Sequence, residues 1–89
     1  METFDNTFLR EKFLLLESRG EVTATEVANR CGWAALQKNG KRKPDGSRVN
    51  RALGITKESD GHGYRKEISE DVAILLCRAL HADPWEVGL

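Results

Sequence analysis

A succession of short apolar segments, each opened by a capping residue and closed by a glycine or a polar break, most constrains the fold of this chain. Leu9, Phe13 and Leu16 recur at helical spacing and predict one apolar stripe. Residues 72–80 form the most apolar segment, so we expect it at the centre of the fold. No segment shows a convincing alternation of apolar and polar residues, as a half-buried strand would. The pattern predicts an all-α fold, a compact five-helix bundle, with helices over residues 8–18, 23–32, 46–53 and 69–80 and a last turn from Asp83.

Each predicted helix begins at a side chain that can accept a hydrogen bond from a free backbone N–H group. Thr23 followed by Glu26 matches a capping box, in which each side chain bonds the backbone of the other residue. Gly32 suits the left-handed conformation that ends a helix. The other candidate caps are Asp5, Asn6 or Thr7 for the first helix, Asp45 or Ser47 for the third, Ser69 for the fourth and Asp83 for the last.

Length and composition indicate one small domain. The chain has 89 residues, which is too few for two ordinary folding units, so we expect a single domain over residues 1–89. No run reaches the roughly 18 apolar residues of a membrane span, and the first residues lack the pattern of a secretory signal. Cys31 and Cys77 fall within apolar helical patterns and do not suggest a disulfide framework. These features predict a reduced, cytoplasmic protein.

Charge is strongly polarised along the chain, although the formal net charge is zero. Residues 30–66 contain ten basic and three acidic residues, a balance of +7, and the rest of the chain carries −7. The basic residues are densest over 37–51, where Asp45 is the one acidic residue. Such a cluster creates a local positive potential that suits phosphate groups, although a solvated loop is the simpler interpretation of any single charge run.

Three stretches resemble the phage-repressor-like (XRE) helix-turn-helix family. They are TATEVANRCG at residues 23–32, SRVNR at residues 47–51 and ISEDVAILLCRALHADPWEV at residues 68–87. The last is the most specific, because the family ends its fold with a similar helix, break and short closing helix. The resemblance implies the lambda-repressor-like type of fold. It also implies a Cro-like or repressor-like regulator of transcription, of phage or mobile-element type, that binds double-stranded DNA sequence-specifically.

The resemblance assigns roles to two of the helices. Residues 23–32 would lie across the DNA backbone, and residues 46–53 would form the recognition helix in the major groove. Arginine can bond guanine O6 and N7 together, and asparagine can do the same with adenine N6 and N7, which fits Arg48 and Asn50. The predicted DNA-binding residues are Thr25, Lys38, Lys41, Arg42, Lys43, Ser47, Arg48, Asn50, Arg51 and Arg65.

The chain departs from the family pattern in two places. The family often has a phosphate-binding glutamine at the position of Ala24, so that contact is lost or moves to Thr25. The family turn has a few residues, whereas residues 33–44 insert about a dozen between the two helices. Because the insertion is basic, we expect its four cations to follow the phosphate backbone or to enter the adjoining minor groove. A weaker candidate set for phosphate contact on the 56–66 loop comprises His62, Tyr64, Arg65 and Lys66.

No enzyme, cofactor or metal site is expected. The cysteines and histidines lack the C-x-x-C and H-x₃-H spacings of short zinc motifs. The Asn39-Gly40-Lys41 stretch lacks the first glycine and the Ser or Thr of a phosphate-binding Walker A loop. No Ser/His/Asp or Cys/His set is arranged for nucleophilic catalysis.

Two interactions with proteins also follow from the sequence. A domain of this size covers little DNA, so we expect a two-fold homodimer that reads half-sites about 34 Å apart. The apolar residues Trp85, Val87 and Leu89 are the candidates for part of the dimer surface. The alternative function is a protein-interaction module, such as an antitoxin or a phage regulatory factor, that binds its partner through the apolar first helix.

Overall fold

The order of helices and strands differs from the sequence prediction in one main respect. The computed structural model describes residues 2–58, 61 and 63–89. In that part the elements are β1 (Thr3–Asp5), α1 (Thr7–Ser18), α2 (Ala24–Cys31), β2 (Ala34–Leu36), β3 (Arg42–Pro44), α3 (Gly46–Ala52), β4 (Glu67–Ser69), α4 (Glu70–Leu80) and a 3₁₀ helix (Pro84–Val87). β1 pairs with β4 and β2 with β3, each in an antiparallel two-stranded sheet. The prediction of an all-α five-helix bundle is therefore wrong.

The strands are absent from the sequence pattern because they bury almost nothing. An alternating pattern marks a strand with one face on the core. In the hairpin of β2 and β3, every side chain is exposed except that of Pro44, which is half-buried. In the other sheet, Ile68 is buried, whereas Thr3 and Asp5 are exposed. Backbone hydrogen bonds hold both sheets, and these leave no trace in residue hydropathy.

Hydrogen bonds decide which of the alternative caps is used. At α1 the N-cap is Asn6, whose side chain accepts no cap bond, and Asp5 Oδ1 accepts from the Thr7 N–H group at 2.7 Å. Hydrogen bonds from the Thr7 side chain and, to a smaller extent, from its backbone hold the pKa of the exposed Asp5 carboxyl below its ordinary value. The Arg48 N–H group donates to Asp45 Oδ1 at 3.2 Å, so Asp45 caps α3. The caps predicted for α2 and α4 also accept the expected backbone bonds. Gly32 ends α2 with a φ of +75°.

The core lies between α1, α2, α3 and α4. Its largest fully buried apolar side chains come from all four helices and from the residue that follows α3: Leu9, Phe13, Val27, Val49, Leu53, Leu76, Cys77 and Leu80. α4 supplies more of the buried core than any other described helix, as its apolar pattern predicted. None of the helices in the described residues is long and apolar enough to span a bilayer.

A buried asparagine joins the end of α3 to the β1–β4 sheet. The Asn6 Nδ2 group donates to the backbone oxygens of Ala52 and Arg65, each at 2.9 Å. The Asn6 N–H group donates to the backbone oxygen of Lys66 at 3.0 Å. Gly54 makes this approach feasible, because a Cβ there would overlap the Arg65 carbonyl oxygen. The polar contacts of Asn6 therefore fix the C-terminal end of α3 against the start of α1.

Candidate nucleic-acid interface

The N-terminal ends of α2 and α3 pack closely, although fourteen residues separate the two helices in sequence. A Cβ at Gly46 would lie 3.3 Å from the Ala24 Cβ and 3.3 Å from the Thr25 nitrogen. Small residues on both helices permit this approach. Ala24 therefore serves the packing of α2 on α3.

The insertion between these helices is a β-hairpin with a defined turn. Leu36 pairs with Arg42 at the end nearest the turn. The Gly40 N–H group donates to the Gln37 oxygen at 3.0 Å, and the Gln37 N–H group donates to the Lys41 oxygen at 2.8 Å. Gly40 has a φ of +81°, the conformation that a three-residue hairpin loop of this kind requires. The segment is thus a hydrogen-bonded hairpin, which fixes the backbone positions of its four basic residues relative to one another.

Trp33 anchors the base of the hairpin. Trp33 is 5% exposed, its backbone N–H group donates to the Ala28 oxygen at 2.9 Å, and its backbone carbonyl accepts from the Asp45 N–H group at 3.0 Å. The Arg48 guanidinium lies 4.5 Å from the centroid of the Trp33 ring, a cation–π contact. The hairpin is therefore tied to the end of α2 through one backbone bond and to the start of α3 through another. This fixes its base beside α3.

Four of the predicted residues meet around one shallow cleft. The cleft has a volume of about 440 Å³ and lies between the hairpin and the first turns of α2 and α3. Its lining includes Thr25 from α2, Lys43 from the hairpin, and Ser47 and Asn50 from α3. Thr25, Lys43 and Ser47 are exposed, and Asn50 is half-buried. One hydroxyl of α2, one ammonium group and two polar side chains of α3 can thus reach the same ligand.

The other basic residues of this region do not line that cleft. Lys38, Lys41 and Arg42 are exposed on the hairpin. Arg48 is exposed, and its guanidinium lies over the Trp33 ring. α3 carries a further cation in its last turn, Arg51, which is half-buried.

Two exposed arginines of the basic segment bond to other parts of the fold. The Arg65 side chain forms an ion pair with Glu58, and its residue lines a different cleft, beside Gly54 at the end of α3. The Arg30 guanidinium donates to the backbone oxygen of Ala79 at 2.9 Å. The structure therefore does not bring Arg65 together with the cleft residues. His62, from the same weaker set, lies outside the described residues.

Sequence reasoning missed the link between Trp33 and Arg48. An aromatic residue directly after a helix-ending glycine is a signal for a core contact, but nothing in the sequence pairs it with a cation fifteen residues on.

Burial raises the pKa of the Cys31 thiol to about 11 and also raises the pKa of Cys77. Both thiols are thus neutral at physiological pH. Among the described residues, no three metal-ligating side chains come together.

No family model, curated protein or solved structure matches this chain. The resemblance to the XRE helix-turn-helix family therefore stays a prediction.

Proposed function

We propose that this protein binds double-stranded DNA sequence-specifically and regulates transcription by occupying an operator. In this proposal α3 enters the major groove, α2 lies across the backbone, and the hairpin contacts phosphates beside the helix. The protein would act in the cytoplasm, where its two free, buried cysteines are compatible with a reducing environment.

One observation carries the proposal: an exposed cationic hairpin is held beside the exposed polar face of α3. Phosphate contacts supply much of the affinity of DNA-binding proteins, and base contacts supply the sequence choice. Lys43 represents the first kind of group and Asn50 the second, and they line the same cleft. A solvated charge run would need no anchored base, whereas this hairpin is bonded to both helices through Trp33.

Base reading falls to α3. Asn50 can present its amide to adenine N6 and N7, and Arg48 can present two N–H groups to guanine O6 and N7. The Trp33 ring restricts the Arg48 guanidinium before DNA arrives, which reduces the conformational freedom lost on binding. Each bidentate pair is worth about 1–3 kcal/mol of discrimination between bases.

We also propose that two copies bind one operator. Trp85 is 70% exposed on the 3₁₀ helix, which packs on α1 and α4, and Val87 and Leu89 beside it are half-buried. An indole with this exposure is suited to an interface between copies, because aromatic side chains are enriched there. Native mass measurement with Trp85→Ser as the comparison tests this: a dimer that becomes a monomer is expected, and a monomeric wild type contradicts it.

A second candidate function is a protein-interaction module. Leu14 and Leu15 of α1 are 43% and 50% exposed, and a shallow groove of about 380 Å³ runs beside Phe8 and Leu16. An amphipathic helix with an uncovered apolar side can bind a partner helix or groove. This candidate predicts no salt-dependent binding to DNA.

The two functions are separated by selection of bound duplexes from a random pool, followed by a salt series on the selected sequence. The DNA-binding proposal expects log K to fall with log salt at about 0.9 per neutralised phosphate. Lys41→Ala should lower this slope by about one and weaken all sequences alike, whereas Lys12→Ala on α1 should change neither. Arg48→Ala and Asn50→Ala should relax the choice of base at one or two positions.

Three results would contradict the proposal. An undetectable interaction with any duplex at low salt would favour the protein-interaction module. A selected pool without a shared sequence would leave backbone binding and remove base reading. A change of sequence choice in Lys41→Ala but not in Arg48→Ala would reverse the assignment of hairpin and helix.

A further inference from the structure

Leu36 is a large apolar side chain that lies outside the core. It is 73% exposed, at the end of β2 nearest the hairpin turn. Ala34 and Ala35, the other residues of that strand, are exposed as well, so β2 buries no side chain. A leucine in this position adds nothing to the core and places apolar surface in water, although glutamine or threonine would pair equally well in the strand.

The surroundings of Leu36 are cationic. Arg42 is its direct partner across the hairpin, and Lys38 and Lys41 belong to the turn that follows. Alternation along the strands puts Leu36 and Arg42 on one face, and Ala35 and Lys43 on the other. Ala35 and Lys43 line the cleft shared with α3. Leu36 and Arg42 therefore face away from the helix that is proposed to read the major groove.

We propose, building on the DNA-binding function above, that Leu36 is a wedge that inserts between base pairs in the minor groove next to the site of α3. Proteins that bend DNA from the minor groove insert Leu, Ile, Phe, Met or Pro side chains between base steps, with cations on the flanking phosphates. Leu36 and its neighbours Arg42, Lys38 and Lys41 have this composition. Three strand residues at about 3.3 Å each carry the turn about 10 Å from its base, enough to cross one phosphate backbone.

The wedge would kink the DNA at a flexible step. Pyrimidine–purine steps such as TA and CA unstack most easily, so the selected sequence should place one beside the bases read by α3. A partner protein is the competing occupant of Leu36. Four cations and no acidic residue over 34–44 favour a polyanion, since a protein partner would need an acidic surface with an apolar centre.

The test uses the duplex selected by the wild-type chain, labelled in two ways. A donor and an acceptor dye on its ends report bending, and 2-aminopurine in place of adenine at the pyrimidine–purine step reports unstacking. The variants are Leu36→Ser, which removes the wedge, and Leu36→Met, which keeps an insertable side chain. Leu14→Ser, an exposed leucine on α1, is the matched control.

For the wild type we expect a rise in 2-aminopurine fluorescence and in energy transfer on binding. Leu36→Ser should abolish both signals and weaken binding about tenfold, with the salt slope unchanged. Leu36→Met and Leu14→Ser should behave as the wild type. Because β2 buries no side chain, the two Leu36 variants should keep the wild-type midpoint of urea unfolding.

Other results would overturn the wedge. Tight, salt-dependent binding with no rise in either signal, or equal signals in Leu36→Ser, removes the wedge and leaves the DNA-binding function intact. Loss of the signals in Leu14→Ser assigns them to a change of the whole fold. Failure to select any duplex at all counts against the DNA-binding function itself, so the two failures are distinguishable.

Discussion

The two sheets of this molecule are equal in size and opposite in their relation to the core. Each pairs three residues with three in antiparallel register. The β1–β4 sheet buries Ile68 and adjoins the buried Asn6, whereas the β2–β3 hairpin exposes nearly every side chain and reaches the core at its base, through Trp33. The first sheet holds the ends of two helices together, and the second presents cations to solvent.

This difference shows that two short sheets with the same backbone pairing can have different roles, one in stability and the other in binding. Backbone hydrogen bonds that are exposed to water contribute little net free energy, so side-chain burial decides the contribution of each sheet. Equivalent substitutions in the two sheets should therefore differ in their effect on unfolding. The chain offers a pair of glycines and a pair of asparagines for this comparison, one member of each pair beside each sheet.

The largest difference is expected between the glycines. Gly54 and Gly40 both have positive φ, at +73° and +81°. Gly54→Ala adds a Cβ against the Arg65 carbonyl oxygen, while the space around Gly40 is open. Gly54→Ala should lower the unfolding free energy by about 3–4 kcal/mol, and Gly40→Ala by about 1 kcal/mol, the strain of the backbone alone. Urea unfolding of both variants checks this, and equal losses would contradict the division between the sheets.

The asparagines should differ next. Asn6 is fully buried and supplies the donor for two backbone carbonyls, whereas Asn39 Oδ1 accepts one exposed bond from Lys41 N–H at 3.0 Å. Asn6→Ala leaves buried carbonyls unpaired and should lower the unfolding free energy by about 2–3 kcal/mol. Asn39→Ala should lower it by less than about 1 kcal/mol. Thermal unfolding at matched concentration measures both, and a larger loss in Asn39→Ala would assign the stabilising role to the hairpin.

Much of the helical part of the fold could be predicted from the sequence, because the signals for it are local. Thr23, Asp45 and Ser69 each cap a helix by bonding a backbone group three residues ahead. The sheets could not be predicted in the same way. Residues 3–5 pair with residues 67–69, a contact that nothing nearby in the chain encodes. The Asn39-Gly40 turn was a signal for a hairpin, but its flanking strands lack the alternation that normally accompanies it.

The candidate site shows the same division between features that local sequence predicts and features that depend on long-range contacts. The basic cluster and the polar residues of α3 are evident in sequence, and the structure brings Lys43, Ser47 and Asn50 to one cleft. Charge counting could not show which cations the fold itself uses. Arg30 bonds a carbonyl of α4 and Arg65 pairs with Glu58, because both depend on contacts made only after the chain is folded.

The tryptophans test where the hairpin is attached. Trp33 is buried under Arg48, and Trp85 is largely exposed. Trp33→Leu keeps an apolar side chain but leaves a void and removes the cation–π contact, so we expect a loss of about 2 kcal/mol in unfolding free energy. Trp85→Leu should change it by less than about 0.5 kcal/mol in the monomer. Urea unfolding monitored by circular dichroism reports both, and a small effect of Trp33→Leu would mean that the hairpin has no anchor in the core.

The smallest effect is expected from the cysteines at alkaline pH. Burial raises the pKa of Cys31 to about 11 in the folded chain, and the positive charge of Arg48 lowers it by less than burial raises it. The unfolded thiol ionises first as pH rises, so the stabilisation is complete below its ordinary pKa and is lost as pH approaches 11. Screening by solvent reduces the expected loss to about 1 kcal/mol. Cys31→Ala should flatten the fall in unfolding free energy above pH 9 more than Cys77→Ala, since its shift is the larger; an equal slope in all three proteins would show that neither thiol is responsible.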